Sequence, residues 1–219
     1  MPGSVKSFET DELPEEILNN SFEVCILVLT YNHEKFITRA LRSILSQNFE
    51  LPTCLLIIDD CSPDDTSSRI KSVLREEKIP KNFQVFNIRH ISNQFQRGRN
   101  FSREVFNAIN SKFFALCDGD DAWSDPEKIQ IQYSFLNSAD GVKFSACGHD
   151  SIVVDDEGKV ISENKLPESM RRDFDSMSLK RCQCFCLTNT LFFRGDVEFP
   201  ENLGAVPNGD NIIWSTLGF

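Results

Sequence analysis

The chain is short of positive charge: 23 Lys and Arg stand against 33 Asp and Glu, a net charge of −10 over 219 residues. That balance argues against nucleic acid or an anionic membrane as a general partner, because either would call for a basic footprint. It leaves room for a phosphorylated small molecule, provided a metal or a local basic patch neutralises the phosphates. Long apolar runs are also missing. No window approaches the roughly 18 residues that a membrane-spanning helix takes, and the acidic, polar N-terminus has none of the layout of a signal peptide. The expected location is cytoplasmic, free or peripheral at the inner face of the membrane, with no integral membrane segment. Nucleotide fingerprints are absent too. There is no GxxxxGK[ST] and no GxGxxG after the first apolar strand, so neither a P-loop nor a dinucleotide turn applies.

What is present is a globular composition, 40% hydrophobic with 19 Phe, in a length that suits one α/β domain better than two. Of the 8 cysteines, Cys25, Cys54, Cys117 and Cys147 lie inside apolar runs and read as small buried hydrophobes. Cys182, Cys184 and Cys186 recur with the period of a strand, which would put them on one face. Packing is favoured over zinc for that trio, since paired zinc ligands usually stand two to four residues apart.

Apolar strands are expected at 24–29, 55–58, 83–88 and 113–117, alternating with helices that start after Asn32, around Ile70 and over 100–110. This alternation is the signature of a doubly wound, mostly parallel sheet flanked by helices. Ser124-Asp125-Pro126-Glu127 reads as a helix start. A mixed half follows, with a hairpin turn at Asp155-Asp156-Glu157-Gly158 and one or two strands between Cys182 and Phe193. Residues 1–21 read as an N-terminal extension and 22–219 as one domain, with a nucleotide-binding half over 22–125 and an acceptor-side half over 126–219.

The acids carry the chemistry. A buried strand, Phe113-Phe114-Ala115-Leu116-Cys117, runs directly into Asp118-Gly119-Asp120-Asp121, and the strand ending at Ile58 runs into Asp59-Asp60. Parallel sheets leave their ligands at the carboxyl ends of their strands. Three carboxylates within four positions repel unless a cation sits between them or one keeps a proton. One acidic turn is an ordinary surface feature; two on one sheet edge, beside a Thr30-Tyr31-Asn32 loop, make a cleft for a polar ligand. Mg²⁺ suits such oxygens, held by one or two carboxylates plus substrate phosphates. Arg97, Arg99 and Arg103 precede the acidic strand, and Arg99 is the preferred phosphate or nucleotide contact.

Several stretches resemble one family in order. Val24 to Asn32 with Ser43-Ile44-Leu45-Ser46-Gln47, Ile57-Ile58-Asp59-Asp60-Cys61-Ser62 with Asp65-Thr66, Arg99-Asn100, Asp118-Gly119-Asp120-Asp121 with Asp125-Pro126, and Gly209-Asp210 are similar to the motifs of family 2, GT-A fold glycosyltransferases of bacterial type. Gly98 stands where that family usually has alanine. The resemblance implies a GT-A fold and a metal-dependent, inverting transfer of a sugar from a nucleoside-diphosphate sugar, of uridine or thymidine type, to an acceptor hydroxyl. The acceptor would be a saccharide, lipid-linked or other hydroxyl in surface polysaccharide or glycan synthesis. It further implies roles: Thr30, Tyr31 and Asn32 around the nucleotide, Asp60 on a uracil-type ring with Asp59 as its neighbour, and Asp118 toward ribose or metal. Asp120, with Asp121 sharing the task, would hold Mg²⁺ or Mn²⁺, and Asp210 would be the general base. His149 is a second candidate at the acceptor, or a structural histidine. Relatives usually continue past the Gly-Asp helix, so the chain looks truncated at its C-terminus. A catalytically impaired nucleotide-sugar binder and a nucleotidyltransferase acting on sugar phosphates are the alternative readings.

Overall fold

The computed structural model describes residues 3–200 and 209–219. Its centre is a seven-stranded sheet. In chain order the strands are β1 (Ser4–Glu9), β2 (Ser21–Thr30), β3 (Thr53–Asp59), β4 (Phe83–Arg89), β5 (Asn110–Asp118), β6 (Ala146–Cys147) and β9 (Phe192–Arg194). A separate hairpin is made of β7 (Val153–Val154) and β8 (Val160–Ser162). The spatial order is β1-β4-β3-β2-β5-β9-β6, with the pairs from β1 through β5 parallel and the β5–β9 and β6–β9 pairs antiparallel. The fold class is therefore α/β with a mostly parallel sheet, as the alternation of elements requires.

Period-2 alternation splits the interior strands between two cores. Cys25 and Leu27 of β2, Leu56 and Ile58 of β3, and Phe114 and Leu116 of β5 face one side. They meet α4 (Phe101–Ala108) and α7 (Gly209–Leu217) there, through Val105, Phe106, Ile212, Ile213 and Trp214. Val24, Ile26 and Val28, Leu55 and Ile57, and Phe113 and Ala115 face the other side. Their partners are α2 (Ile37–Leu45), α3 (Thr66–Glu76) and α5 (Lys128–Leu136). Strands buried on both faces read as continuous apolar runs, which is why their sequence signal is strong.

The N-terminal extension lies along the domain from residue 3 on, and three expectations fail elsewhere. β1 lengthens the sheet by pairing with β4, and α1 (Glu15–Leu18) buries Ile17 fully. β1 is nearly all exposed, anchored by its backbone ladder and by Phe8 against the core, and no apolar pattern announces it. Asn32 does not cap α2; it adopts a left-handed φ of 60° and the helix begins five residues later, after Phe36. The 182–193 stretch yields one short strand, β9, within the one or two expected, but the three cysteines do not lie on it. Cys182 turns the chain at φ 50° and Thr188–Thr190 is a 3-10 turn, so the trio does not share a strand face. The helix start at Ser124 also falls later, at Lys128, with Asp125 Oδ1 accepting from Glu127 N at 2.8 Å.

Candidate active site at the carboxyl edge of the sheet

Three loops leave the carboxyl ends of β2, β3 and β5 and are tied to one another. Asn32 N donates to Ser62 Oγ at 2.9 Å and His33 N to Thr66 Oγ1 at 2.9 Å. Asp60 N donates to Thr30 O and Gly119 N to Leu29 O, both at 2.9 Å. Gly119 lies so close to the Thr30 side chain that an added Cβ would overlap it; only glycine lets the acidic loop seat against the first loop. Thr30 is buried beneath this junction, while Tyr31 is 40% exposed at its rim.

The acidic loop crowds charge. Asp118 closes β5, and its carboxyl is pushed up to about 7 by burial first, then by Asp121, Asp120 and Asp210. The last of these matters most for the architecture: Asp210, in the first turn of α7, lies within electrostatic reach of Asp118 although 92 positions separate them. Asp121 is raised by burial and by Asp120, against which Arg39, His33 and a hydrogen bond with Asn189 act. Asp120 is exposed, with His33 Nε2 3.9 Å from its Oδ2. The same imidazole meets Thr30 Oγ1 through Nδ1 at 3.2 Å. Among the described residues no three His, Cys, Asp or Glu side chains converge as a metal cage. A cation held by one or two carboxylates and a diphosphate needs no such cage, and the Asp118–Asp120 oxygens fit that mode.

The second acid pair is built differently. Asp59 is buried, accepting from Ser62 N at 2.9 Å with Arg89 Nε 3.7 Å from its other oxygen. Asp60 holds the loop after β4: Oδ1 accepts from His90 Nδ1 at 2.8 Å and Gln94 N at 2.7 Å, and Oδ2 from Phe95 N at 3.1 Å. Its carboxylate is thus engaged with protein donors. Arg99 is also committed. It pairs with Glu104 at 2.6 Å and Glu12 at 3.0 Å, donates to Asp11 O at 2.6 Å, and lies 5.0 Å from the Phe101 ring centroid. A phosphate contact would have to displace one of those carboxylates. His149 lies in a loop after β6, its Nδ1 2.7 Å from Asp150 O and its N donating to Thr190 Oγ1 at 3.3 Å, within electrostatic reach of Lys128 and Asp125; burial lowers its pKa.

Several residues at this edge escape sequence reading. His33 and Arg39 bracket the acidic loop from the α2 side. Lys128 is buried on α5 with no carboxylate in ion-pair range among the described residues. Its ammonium lies 4.3 Å from the Trp123 ring centroid and donates to Gln132 Oε1 at 2.7 Å, and burial pushes its pKa down to about 8. Trp123 Nε1 donates to Asn189 O at 3.0 Å and Gln132 Nε2 to Thr190 O at 2.8 Å. The available signal was the i, i+4 spacing of Lys128 and Gln132 beside a tryptophan, which marks helical neighbours and nothing about burial.

A family model described as "Glycosyl transferase family 2" matches residues 25–198. An uncharacterized protein of Mycobacterium tuberculosis is 33% identical over 178 residues, covering 80% of this chain and 48% of its own length. An uncharacterized glycosyltransferase of Nostoc is 26% identical over 180 residues, covering 80% of this chain and 52% of its own. The chain thus spans about half the length of the curated relatives it matches. Among solved structures, S. aureus TarS 1-349 in complex with UDP-GlcNAc superposes with a TM-score of 0.61 at 20% identity, over 90% of this chain and 53% of that one. The sheet order, the interlocked loops on its carboxyl edge and these matches agree: the chain belongs to glycosyl transferase family 2 and has the GT-A fold.

Proposed function

We propose that the chain moves a sugar from a nucleoside-diphosphate sugar to an acceptor hydroxyl, inverting the anomeric configuration. The observation that carries this reading is the gathering of Asp118, Asp120 and Asp121 with Asp210 at one edge, from opposite ends of the fold. In this reading Asp210 accepts the proton of the acceptor hydroxyl. The freed oxygen attacks the anomeric carbon opposite the diphosphate, and the carbon–oxygen bond to phosphate breaks with its electron pair. Mg²⁺ or Mn²⁺ held by Asp118 and Asp120, with Asp121 beside them, would supply positive charge to the leaving phosphates. Thr30, Tyr31 and Asn32 would line the nucleotide, with Asp59 and Asp60 shaping its base end and Arg99 at the phosphate side. A uridine or thymidine donor is favoured because Asp60 Oδ2, which accepts from Phe95 N, keeps a lone pair for a ring N3–H, and a related fold holds UDP-GlcNAc.

Calorimetry with UDP, in the presence and absence of Mn²⁺, tests the site. Asp120→Asn is expected to lose the Mn²⁺-dependent part of the affinity with its thermal stability intact. Asp210→Asn is expected to keep UDP binding and lose about 10²–10⁴ in transfer. Parental metal-dependent binding by the Asp120 variant would remove the acidic loop from the reading. A clear preference for ADP or GDP would remove the uridine assignment.

A further inference from the structure

Beside the acidic loop, α2 carries a cationic groove that no step above uses. Lys35, Thr38, Arg39, Arg42, Ser43 and Ser46 line an open cavity of about 610 Å³. The opposite face of the same helix, Ile37, Ala40, Leu41, Ile44 and Leu45, is buried against the sheet. A charged outer face on an amphipathic helix is ordinary, and three features set this one apart. It is basic in a chain whose net charge is −10. Two of its cations, Lys35 and Arg39, have no carboxylate in ion-pair range among the described residues, whereas Arg42 is matched by Glu77 at 2.7 Å. The groove also ends at the reacting edge. Ser43 Oγ accepts Trp123 N at 3.0 Å from the acidic loop, the charge of Arg39 is felt at Asp121, and Arg39 Nη1 lies 3.5 Å from where a Cβ of Gly158 would sit on the β7–β8 turn.

Unpaired cations in an open groove favour an anionic ligand, with the hydroxyl of Thr38 available to donate to its oxygens, while those of Ser43 and Ser46 donate to Ala40 O and Ser43 O. The donor diphosphate has its own place at the carboxylates, so a second anion binder along α2 serves the other substrate. The geometry points to a subsite for an acceptor that carries phosphate or carboxylate groups, lying along Lys35 and Arg39 so that its hydroxyl end reaches the Asp118–Asp210 edge. This names the acceptor class within the transferase reading and rests on it.

The test uses the whole chain with three soluble probes: poly(glycerol phosphate), oligogalacturonate and neutral dextran oligomers, each titrated by fluorescence at low and at raised salt, with UDP plus Mn²⁺ titrated in parallel. The parent is expected to bind one or both anionic probes at least roughly tenfold more tightly than dextran, and to lose that margin as salt rises. The double variant Lys35→Glu with Arg39→Glu is expected to lose roughly tenfold or more for the anionic probe, and Lys35→Arg with Arg39→Lys to restore it. Equal binding of dextran, or undiminished anionic binding by the charge-reversed variant, overturns the proposal. So does binding of anionic vesicles through Lys35 and Arg39 when neither anionic probe binds, since a membrane would then be the occupant. Failure of UDP to bind the parent, with anionic binding intact, strikes the transferase reading and leaves an anion groove of unassigned purpose, which overturns the acceptor assignment as well.

Discussion

At the scale of single residues, Lys128 is the least expected group in the molecule. A buried ammonium with one hydrogen-bond acceptor, set over an indole ring, keeps only part of what water gave it. Its pKa falls from the ordinary 10.5 to about 8, so between those two values the unfolded chain holds a proton that the folded chain has released. Stability therefore rises with pH across that window as far as Lys128 is concerned. The thiols act in the other direction at the top of it: burial holds Cys117 and Cys184 protonated above the pH at which free thiols ionise. Comparing parent with Lys128→Met cancels Cys184, while Cys117 and Cys147, which feel the Lys128 charge, cancel in part. The parent is expected to gain about 3 kcal/mol relative to that variant between pH 8 and 10.5, read from urea unfolding at a series of pH values. A difference that stays flat with pH would mean that Lys128 is solvated and titrates normally.

At the scale of elements, the loop from His90 to Asn100 shows what sequence conveys and what it withholds. The strands on either side are legible: Phe83 to Ile88 by its alternation, and Phe113 to Cys117 as an apolar run buried on both faces. The helix start near residue 100 is legible as well, and the structure adds that Asn100 caps it, its side chain accepting from Arg103 N at the start of α4. The loop is not. Its shape comes from Asp60, 30 positions and more away, whose two oxygens accept from His90, Gln94 N and Phe95 N. A carboxylate read as a ligand group at the end of a strand turns out to organise protein first, and spacing cannot separate those roles. The same limit hid β1, which holds mainly by backbone pairing with Phe8 as its one core contact, and placed Asn32 at a helix start that lies further on. Asp60→Ala is expected to leave the buried His90 ring and two amides unpartnered and to cost about 2–4 kcal/mol. Hydrogen exchange at Gln94 and Phe95 should accelerate in that variant with no nucleotide present. If exchange there matches the parent, the loop has another anchor and the carboxylate is free for a ligand.

At the scale of the whole molecule, two adjacent phenylalanines join the halves. β9 is three residues long, yet it sits between β5 and β6 and alternates its rings across the sheet. Phe192 stacks on Phe113 at 5.2 Å, in the core that also contains Trp123 and Ile129 beneath the acidic loop. Phe193 faces the other way, stacking on Phe114 at 5.6 Å and meeting Phe106 edge-on at 5.2 Å, in the core that contains Ile212, Ile213 and Trp214 of α7. Each side of the candidate site is thus backed by one ring of the pair: the acidic loop by Phe192, the Asp210 helix by Phe193. Both side chains are fully buried, so truncation removes transfer energy and leaves a cavity that close-packed neighbours fill only in part. Phe193→Ala is expected to cost about 3–5 kcal/mol, a fall of roughly 10 °C in Tm for a chain of this length. Because the loss falls on the α7 side, the surviving folded protein should keep most of its UDP affinity while transfer declines further than the folded fraction accounts for. Phe192→Ala should show the reverse bias, with UDP affinity falling first. The pair is read by following UDP titration and transfer together, well below each variant's Tm. If both variants lose binding and transfer in the same proportion, the two cores are not separately coupled to the two sides of the site, and β9 is a spacer between β5 and β6.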